Sequence, residues 1–537
     1  MKRSSRFLLG IGSLLLLALS LTSGCAQDLP DINRTQPRAL KKTVFRTKND
    51  DGSLREWYFR QTVIEVPYGS GATFVGEQGK IEKIVWEVTE KYLFAHRSRE
   101  YVKGTDSSAQ RPDTGDTPGS AIAAYRVEAH FDIQRAYNPA TGEQTNVITE
   151  NYTDRPWNER KYMRVDFSKN LISDFNFVGS QVSQQPVNFY VPETEVNNKD
   201  RAKIGDDYID LVNKLFIQPE INALYSRYYG RPIPSCWLYT DITKDCLGQT
   251  IKIRSSFKLA EDTGYITKQY DNNRMSKFGY FRQTNYAYDR GNGTIEDNTS
   301  RVIQRWNIWE NERECVQPQL SLSHAKCKVK QIPYYINEQF PEELKEATSK
   351  VLDQWNVNFA AVVKSRSGKD QKKVFVFCPN NPVKSGDPEI CGKPGLNPQI
   401  GDLRYNFVYW VPGPHRSSPL GYGPSAADPV TGEVFNANAF IYGAALDRYS
   451  TYATDLVRLV NGDVEGQQLA NGQKLLKYFD NMNKLAEKVV SAMTESEVEA
   501  LIVDHYQGES QTLTTGAESN LLKLGELRGT LTPEQKE

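Results

Sequence analysis

Histidines and cysteines are the residues of this sequence whose types could do metal chemistry, and the histidines can be tested first. They are His96, His130, His324, His415 and His505, and the closest two, His96 and His130, lie 34 positions apart. A zinc peptidase helix places two histidines one turn apart so that both face one metal, with a glutamate between them to activate water. No HExxH occurs, so a zinc site would have to be assembled from distant residues. His130 falls in a run alternating at period two, on the polar side with Arg126, Glu128 and Asp132 and opposite Val127, Ala129 and Phe131. That pattern predicts a solvated structural histidine rather than a ligand.

Nucleophile motifs are no stronger. GxSxG is absent. Ser255-Ser-Phe-Lys258 and Ser323-His-Ala-Lys326 match SxxK, but no KTG accompanies them. Gly421-Tyr-Gly-Pro-Ser425 has too few glycines and no lysine for a phosphate loop. Asp289 to Asp297 offers oxygen ligands in a Gly-rich turn without the EF-hand pattern, and a plain hairpin loop is the better reading. Carboxylates are too numerous for any pair to stand out. The sequence by itself shows no active site.

The cysteines speak of compartment. Lys2, Arg3 and Arg6 precede an apolar run from Phe7 to Leu21, and Thr22-Ser23-Gly24 lead into Cys25. This is the pattern of a secretory signal, residues 1–24, with a core too short to span a bilayer. Small residues before a cysteine resemble the bacterial lipobox, which makes Cys25 the expected lipid-attachment site, although Thr22 stands where leucine is usual. An ordinary cleaved signal is the alternative. Ala26 after the cysteine, rather than Asp, favours the outer membrane under enteric-type sorting. Cys236, Cys246, Cys315, Cys327, Cys378 and Cys391 remain. Six cysteines allow 15 connectivities; neighbour pairing is the natural guess because each pair closes a short loop. No CxxC spacing supports a metal site, so structural disulfides of an exported protein are expected.

These residues must be carried by a sizeable fold. The sequence has 537 residues with 66 basic and 66 acidic side chains, which leaves no basic surplus for nucleic acid. Its 29 Tyr, 22 Phe and 8 Trp suit a β-leaning globular exoprotein rather than a disordered chain. Residues 25–42 read as a polar tether. Residues 43–331 read as a β-rich region of short strands, among them Trp57–Val66, Ile84–Val88 and Ala123–Ile133, with 104–119 as a mobile loop. The character then changes. Residues 332–444 open with a strand, Ile332–Ile336, and a helix starting at Pro341, where Leu344, Ala347, Val351, Leu352, Trp355 and Phe359 predict one buried face. Strands are expected at Lys373–Cys378, Leu403–Val411 and Val434–Tyr442, with a Gly/Pro-rich loop at 412–432. Residues 445–537 read as a helical segment with a second helical stretch at 473–505. Thr532-Pro-Glu-Gln535 is a helix-start signature followed almost at once by the end, so either a frayed tail or, the preferred reading, a truncated segment is expected. The fold class is α+β.

Several segments together resemble a family of large bacterial zinc-dependent metalloprotease-like lipoproteins with a metzincin-type domain. They are Pro156–Asp166 (PWNERKYMRVD), Phe278–Arg282, Arg305–Glu310, Asp428–Val434 and Asn436–Tyr442. The resemblance covers nearly all of the chain after Cys25, and its motifs are structural rather than catalytic. It implies that 332–444 is the opening half of a metzincin-like domain, in which a strand, a helix and a twisted sheet precede the active-site helix. Val434–Tyr442 would then be an edge strand lining a cleft and pairing with peptide backbone. Zinc and its HExxH helix belong to a complete family member, so no metal ligand or catalytic residue carries over to this chain. The resemblance implies an envelope lipoprotein related to secreted zinc metalloproteases but inactive alone. Its partners would be the membrane, through the lipid anchor, and a peptide or protein substrate or a separately encoded catalytic half. A non-catalytic envelope binding or scaffold lipoprotein is the alternative.

Overall fold

The computed structural model describes residues 30–50, 52–67, 73–98, 102–103, 120–172, 182–234, 248–289, 293–315, 327–414 and 419–467. The mixed α+β class holds, with β-structure dominating the first part and the longer helices following later. The described residues up to Ala445 form one compact unit and those from Leu446 a second.

Alternating and β-branched runs in the first part build a large sheet. Its order is Ile32–Asn33, Gln144–Asn151, Ala121–Tyr137, Tyr92–Arg97, Glu82–Val88, Trp57–Glu65, Gln249–Leu259, Tyr208–Pro219 and Val182–Val187. Neighbours along this path are antiparallel apart from the parallel contact at Ile32–Asn33. Trp57–Glu65 is covered on both faces. Trp57 and Phe59 enter a core with Trp86 and Phe257, where the Phe59 and Phe257 rings stack at 4.6 Å. Each such aromatic contributes about 1.5–3 kcal/mol by leaving water. Tyr58, Arg60 and Thr62 point the other way, and Arg60 donates to Asn436 Oδ1 at 2.6 Å, which ties this sheet to the next.

The second sheet runs Phe375–Cys378, Ile332–Ile336, Asn406–Val411, Glu433–Tyr442, all parallel. Gly421–Tyr422 and Ser425–Ala427 pair antiparallel with Glu433–Tyr442, and Arg305–Trp306 pairs parallel with its first residues. Val434–Tyr442 is therefore an internal strand, contrary to the edge position that the resemblance implies. Its flanks are occupied, so the expected addition of a peptide strand to it is closed.

Helix Glu342–Ser367 crosses between the first two parallel strands. Glu342 and Glu343 in its first turn and Lys364 and Arg366 in its last suit the helix dipole. The buried stripe is Leu352, Asn356, Val363 and Ser367, whereas Trp355 is 56% exposed. The sequence-derived face is thus rotated. Asn356 explains the rotation, because its side chain donates to the Phe375 carbonyl at 2.8 Å and accepts the Phe375 N–H at 2.9 Å. A buried edge strand needs that partner, and turning Asn356 inward turns Trp355 outward.

His130 is buried rather than solvated. The register of its strand against Tyr162–Asp166 shifts between Val127 and Ala129, which breaks the alternation. Its Nε2–H donates to the Glu90 carbonyl at 3.0 Å, and the Trp157 ring lies 5.1 Å away. Burial, followed by the nearby Lys42 charge, lowers its pKa.

Cys315 is bonded to Cys327 and Cys378 to Cys391, each inside a hydrophobic cluster. Two buried disulfides mark a protein of an oxidising, exported compartment. Among the described residues no helix is long and apolar enough to cross a membrane. Helix Gly443–Val460 follows the last strand and closes at Gly462, whose N–H donates to the Leu459 carbonyl at 3.1 Å.

Candidate functional site

The turn Asp428-Pro-Val-Thr-Gly-Glu433 starts the site. Asp428 Oδ1 accepts the N–H groups of Val430 at 2.7 Å and Thr431 at 3.0 Å, a local arrangement that favours Asp at a turn. Gly432 has φ +78°, and a Cβ there would meet the Ile303 carbonyl oxygen at 2.2 Å. Only glycine fits, and the tight turn delivers Glu433 to the start of its strand beside Arg305.

The opposite wall comes from the large sheet. Tyr58 and Lys83 are register partners on adjacent strands and so share one face. Tyr58 Oη donates to Asp428 Oδ2 at 2.6 Å; Lys83 Nζ reaches the same oxygen at 3.0 Å and Glu56 Oε2 at 3.1 Å. Burial alone would raise the Asp428 pKa, but Lys83 and the Tyr58 hydroxyl outweigh it and hold it down. Burial likewise opposes the charge of Lys83, and Asp428 and Glu56 reverse that to raise its pKa.

Between these walls lies a cavity of about 590 Å³, within the size range of small-ligand sites. Six carboxylates (Asp50, Glu56, Glu261, Asp262, Asp428, Glu433) and two cations (Lys83, Arg313) line it, so it is strongly acidic. Both cations are committed, Lys83 as above and Arg313 to Asp262 at 2.6 Å.

Glu433 is different. It is 7% exposed; Oε2 accepts from the Thr263 hydroxyl at 2.6 Å, and Oε1 has no hydrogen-bond partner. Burial raises its pKa, against the pull of the Thr263 hydroxyl, the Lys330 charge and the Asn307 amide. The Tyr265 hydroxyl, on a residue 6% exposed, also lacks a partner, and burial pushes its pKa up to about 12. Arg305 sits 4.4 Å from the Tyr265 ring centroid, but its guanidinium is held by both oxygens of Glu312. An unpaired buried carboxylate oxygen and an unpaired buried hydroxyl are costly. Both residues line the cavity.

The residues singled out from sequence fall elsewhere. Cys25, Cys236, Cys246, His324, His415 and His505, and the second SxxK match, lie outside the described residues, as do the side chains of the Asp289–Asp297 turn. His96 is held by Glu87, Nε2 to Oε2 2.7 Å. Ser255 and Lys258 occupy a β-strand, where a spacing of three puts side chains on opposite faces, so they cannot act as a serine–lysine pair. Among the described residues no group of three or more His, Cys, Asp or Glu could hold a metal ion, and helix Gly443–Val460 contains no histidine. No protein-family model, curated protein or solved structure matches this chain.

Sequence reasoning missed Glu433, Tyr265 and Asp428 as one site. Asp428 and Glu433 lay within a segment that could be quoted, but Glu433 and its partner Thr263 are 170 residues apart. No local spacing carries that relationship.

Proposed function

We propose that this chain is an exported, lipid-anchored envelope protein, related to zinc metallopeptidase-like lipoproteins, that binds a cationic group and is not a peptidase by itself. The observation carrying the binding role is the unpartnered Oε1 of Glu433 in an acidic cavity whose own cations are already used. A primary ammonium or guanidinium, as on a lysine or arginine side chain of a peptide, would satisfy that oxygen with a charge-assisted hydrogen bond and could donate to the Tyr265 hydroxyl. The relationship is supported by element order, since strand, helix and twisted sheet precede a further helix as the resemblance implies. The export signal and Cys25 place the anchor at the start of the mature chain.

Calorimetric titration with short peptides tests this. Lysine or arginine peptides should bind, and their norleucine or citrulline counterparts should bind at least about tenfold more weakly, because the charge-assisted bond is lost. Equal affinity across the pair would remove the cation-binding role. Casein turnover by the purified chain that a chelator abolishes would overturn the non-peptidase part.

A further inference from the structure

Every residue from Asp271 to Phe281 is exposed, which makes this segment a projecting finger. Its base is fixed. Tyr270 is buried, its N–H donates to the Arg301 carbonyl at 2.7 Å, and its hydroxyl accepts the Tyr280 N–H at 3.0 Å. Gln304 N–H donates to the Phe281 carbonyl at 2.9 Å. Within the finger, helix Asn272–Phe278 is capped by the Asp271 side chain, which accepts from Arg274 N, and by Gly279 in the left-handed region, whose N–H donates to Met275 O.

This rigid mount holds apolar rings in water. Phe278 is 64% exposed, Tyr280 58% and Phe281 78%, and the Phe278 and Tyr280 rings lie nearly parallel with centroids 6.4 Å apart. Arg274, Lys277 and Arg282 frame them. Arg274 Nη1 donates to the Gln269 carbonyl at 2.6 Å and Arg282 Nη1 to Asn272 Oδ1 at 2.8 Å, both neutral acceptors, so these guanidinium charges are oriented but not neutralised. Asp271, the acidic residue of the segment, caps the helix and keeps its charge, so the three cations leave the segment with a positive excess.

We infer that the finger Asp271–Arg282 is a contact for an anionic lipid surface: Phe278, Tyr280 and Phe281 enter the headgroup region and the three cations meet lipid phosphates. Aromatic rings beside Arg and Lys are the composition of membrane-interface contacts. The convex finger offers a protein partner no groove, whereas a soft interface accepts projecting rings in the orientation they already have. Preorganisation removes much of the ordering cost of such a contact. The inference rests on neither the cavity nor the acylation of Cys25.

The test is co-sedimentation of the full chain carrying Cys25→Ser, so that no acyl chain contributes, with vesicles of phosphatidylethanolamine and phosphatidylglycerol or of phosphatidylcholine alone. Partitioning should favour the anionic vesicles at least about tenfold and weaken as salt is raised. Phe278→Ser with Phe281→Ser should lower it by about tenfold or more, with circular dichroism unchanged because both rings are already in solvent. Arg274→Gln with Arg282→Gln should erase the preference for anionic lipid. Leu224→Ser with Tyr228→Ser, on another helix with exposed aromatics, Ala223–Tyr229, should change nothing. Three results would overturn the inference: no binding to anionic vesicles, binding unaffected by the paired Phe substitutions, or lipid-independent self-association that those substitutions abolish, which would assign the finger to a second copy.

Discussion

Two buried charged regions face the same seam between the sheets and solve opposite problems. In the first, Arg254 and Asp210 are each 1% exposed by side chain and pair at 2.6 Å, with Lys203 reaching Asp210 at 3.8 Å and Arg404 held to Asp402 at 2.6 Å. Every carboxylate there has its cation. In the second, the cavity, Lys83 serves Asp428 and Glu56, and among the described residues no ion pair reaches Glu433. Burying charge is costly unless it is paired. The seam, where each carboxylate is held by a cation although Asp210 Oδ1 and Arg254 Nε also lack a hydrogen-bond partner, therefore reads as architecture, and a cavity-lining carboxylate without an ion pair reads as a binding position whose partner comes from outside.

The comparison breaks most visibly at the seam. Asp210→Ala should destabilise the fold by about 3–5 kcal/mol, because it strands the buried Arg254 charge. Urea denaturation of the variant and parent measures it. A loss near zero would mean that Arg254 finds water or another carboxylate, and the seam would no longer be a closed counterpart to the cavity.

The paired half of the cavity should respond next. Lys83→Met leaves Asp428 with Tyr58 and two backbone N–H donors, and should cost about 2–4 kcal/mol at neutral pH. The sign of the pH dependence follows from Asp428. Its folded pKa is depressed below 3.8, so its stabilisation is present above that value and disappears as pH falls through the lower folded value. Lys83→Met should therefore narrow the gap between neutral and acid stability. Unfolding midpoints at pH 7 and near pH 3 test this, and an unchanged gap would count against Lys83 as the main cause.

How much of this was legible in the sequence depends on distance along the chain. The strands around Trp57 and Ala123 and the helix after Pro341 rest on local periodicity and emerge within a few residues of their observed limits. Three expectations failed where one non-local contact decided the outcome. Asn356 turned the helix face because a strand 19 residues later needed a partner. A register shift buried His130. The Gly/Pro-rich loop expected at 412–432 supplied short strands that covered Val434–Tyr442. The cavity is the extreme case, since its residues come from five separate stretches of the chain and its defining property is an unpaired atom, which no residue pattern encodes.

The sharpest prediction concerns Glu433, where stability and binding should move apart. Glu433→Gln keeps an oxygen for the Thr263 hydroxyl and removes a buried carboxylate that forms no ion pair and feels the Lys330 charge only at longer range, so stability at neutral pH should change by no more than about 0.5 kcal/mol or rise slightly. Binding of a lysine peptide should nonetheless fall by about tenfold or more. The parent's binding should also weaken on acidification earlier than an exposed glutamate would allow. The folded Glu433 pKa lies above its ordinary 4.5, so protonation removes the charge the ligand needs while the pH is still above that value. In Glu433→Gln that part of the pH dependence should vanish. If instead the variant lost several kcal/mol of stability and kept its affinity, Glu433 would belong with Asp210 as architecture, and the two regions would differ in degree and not in purpose.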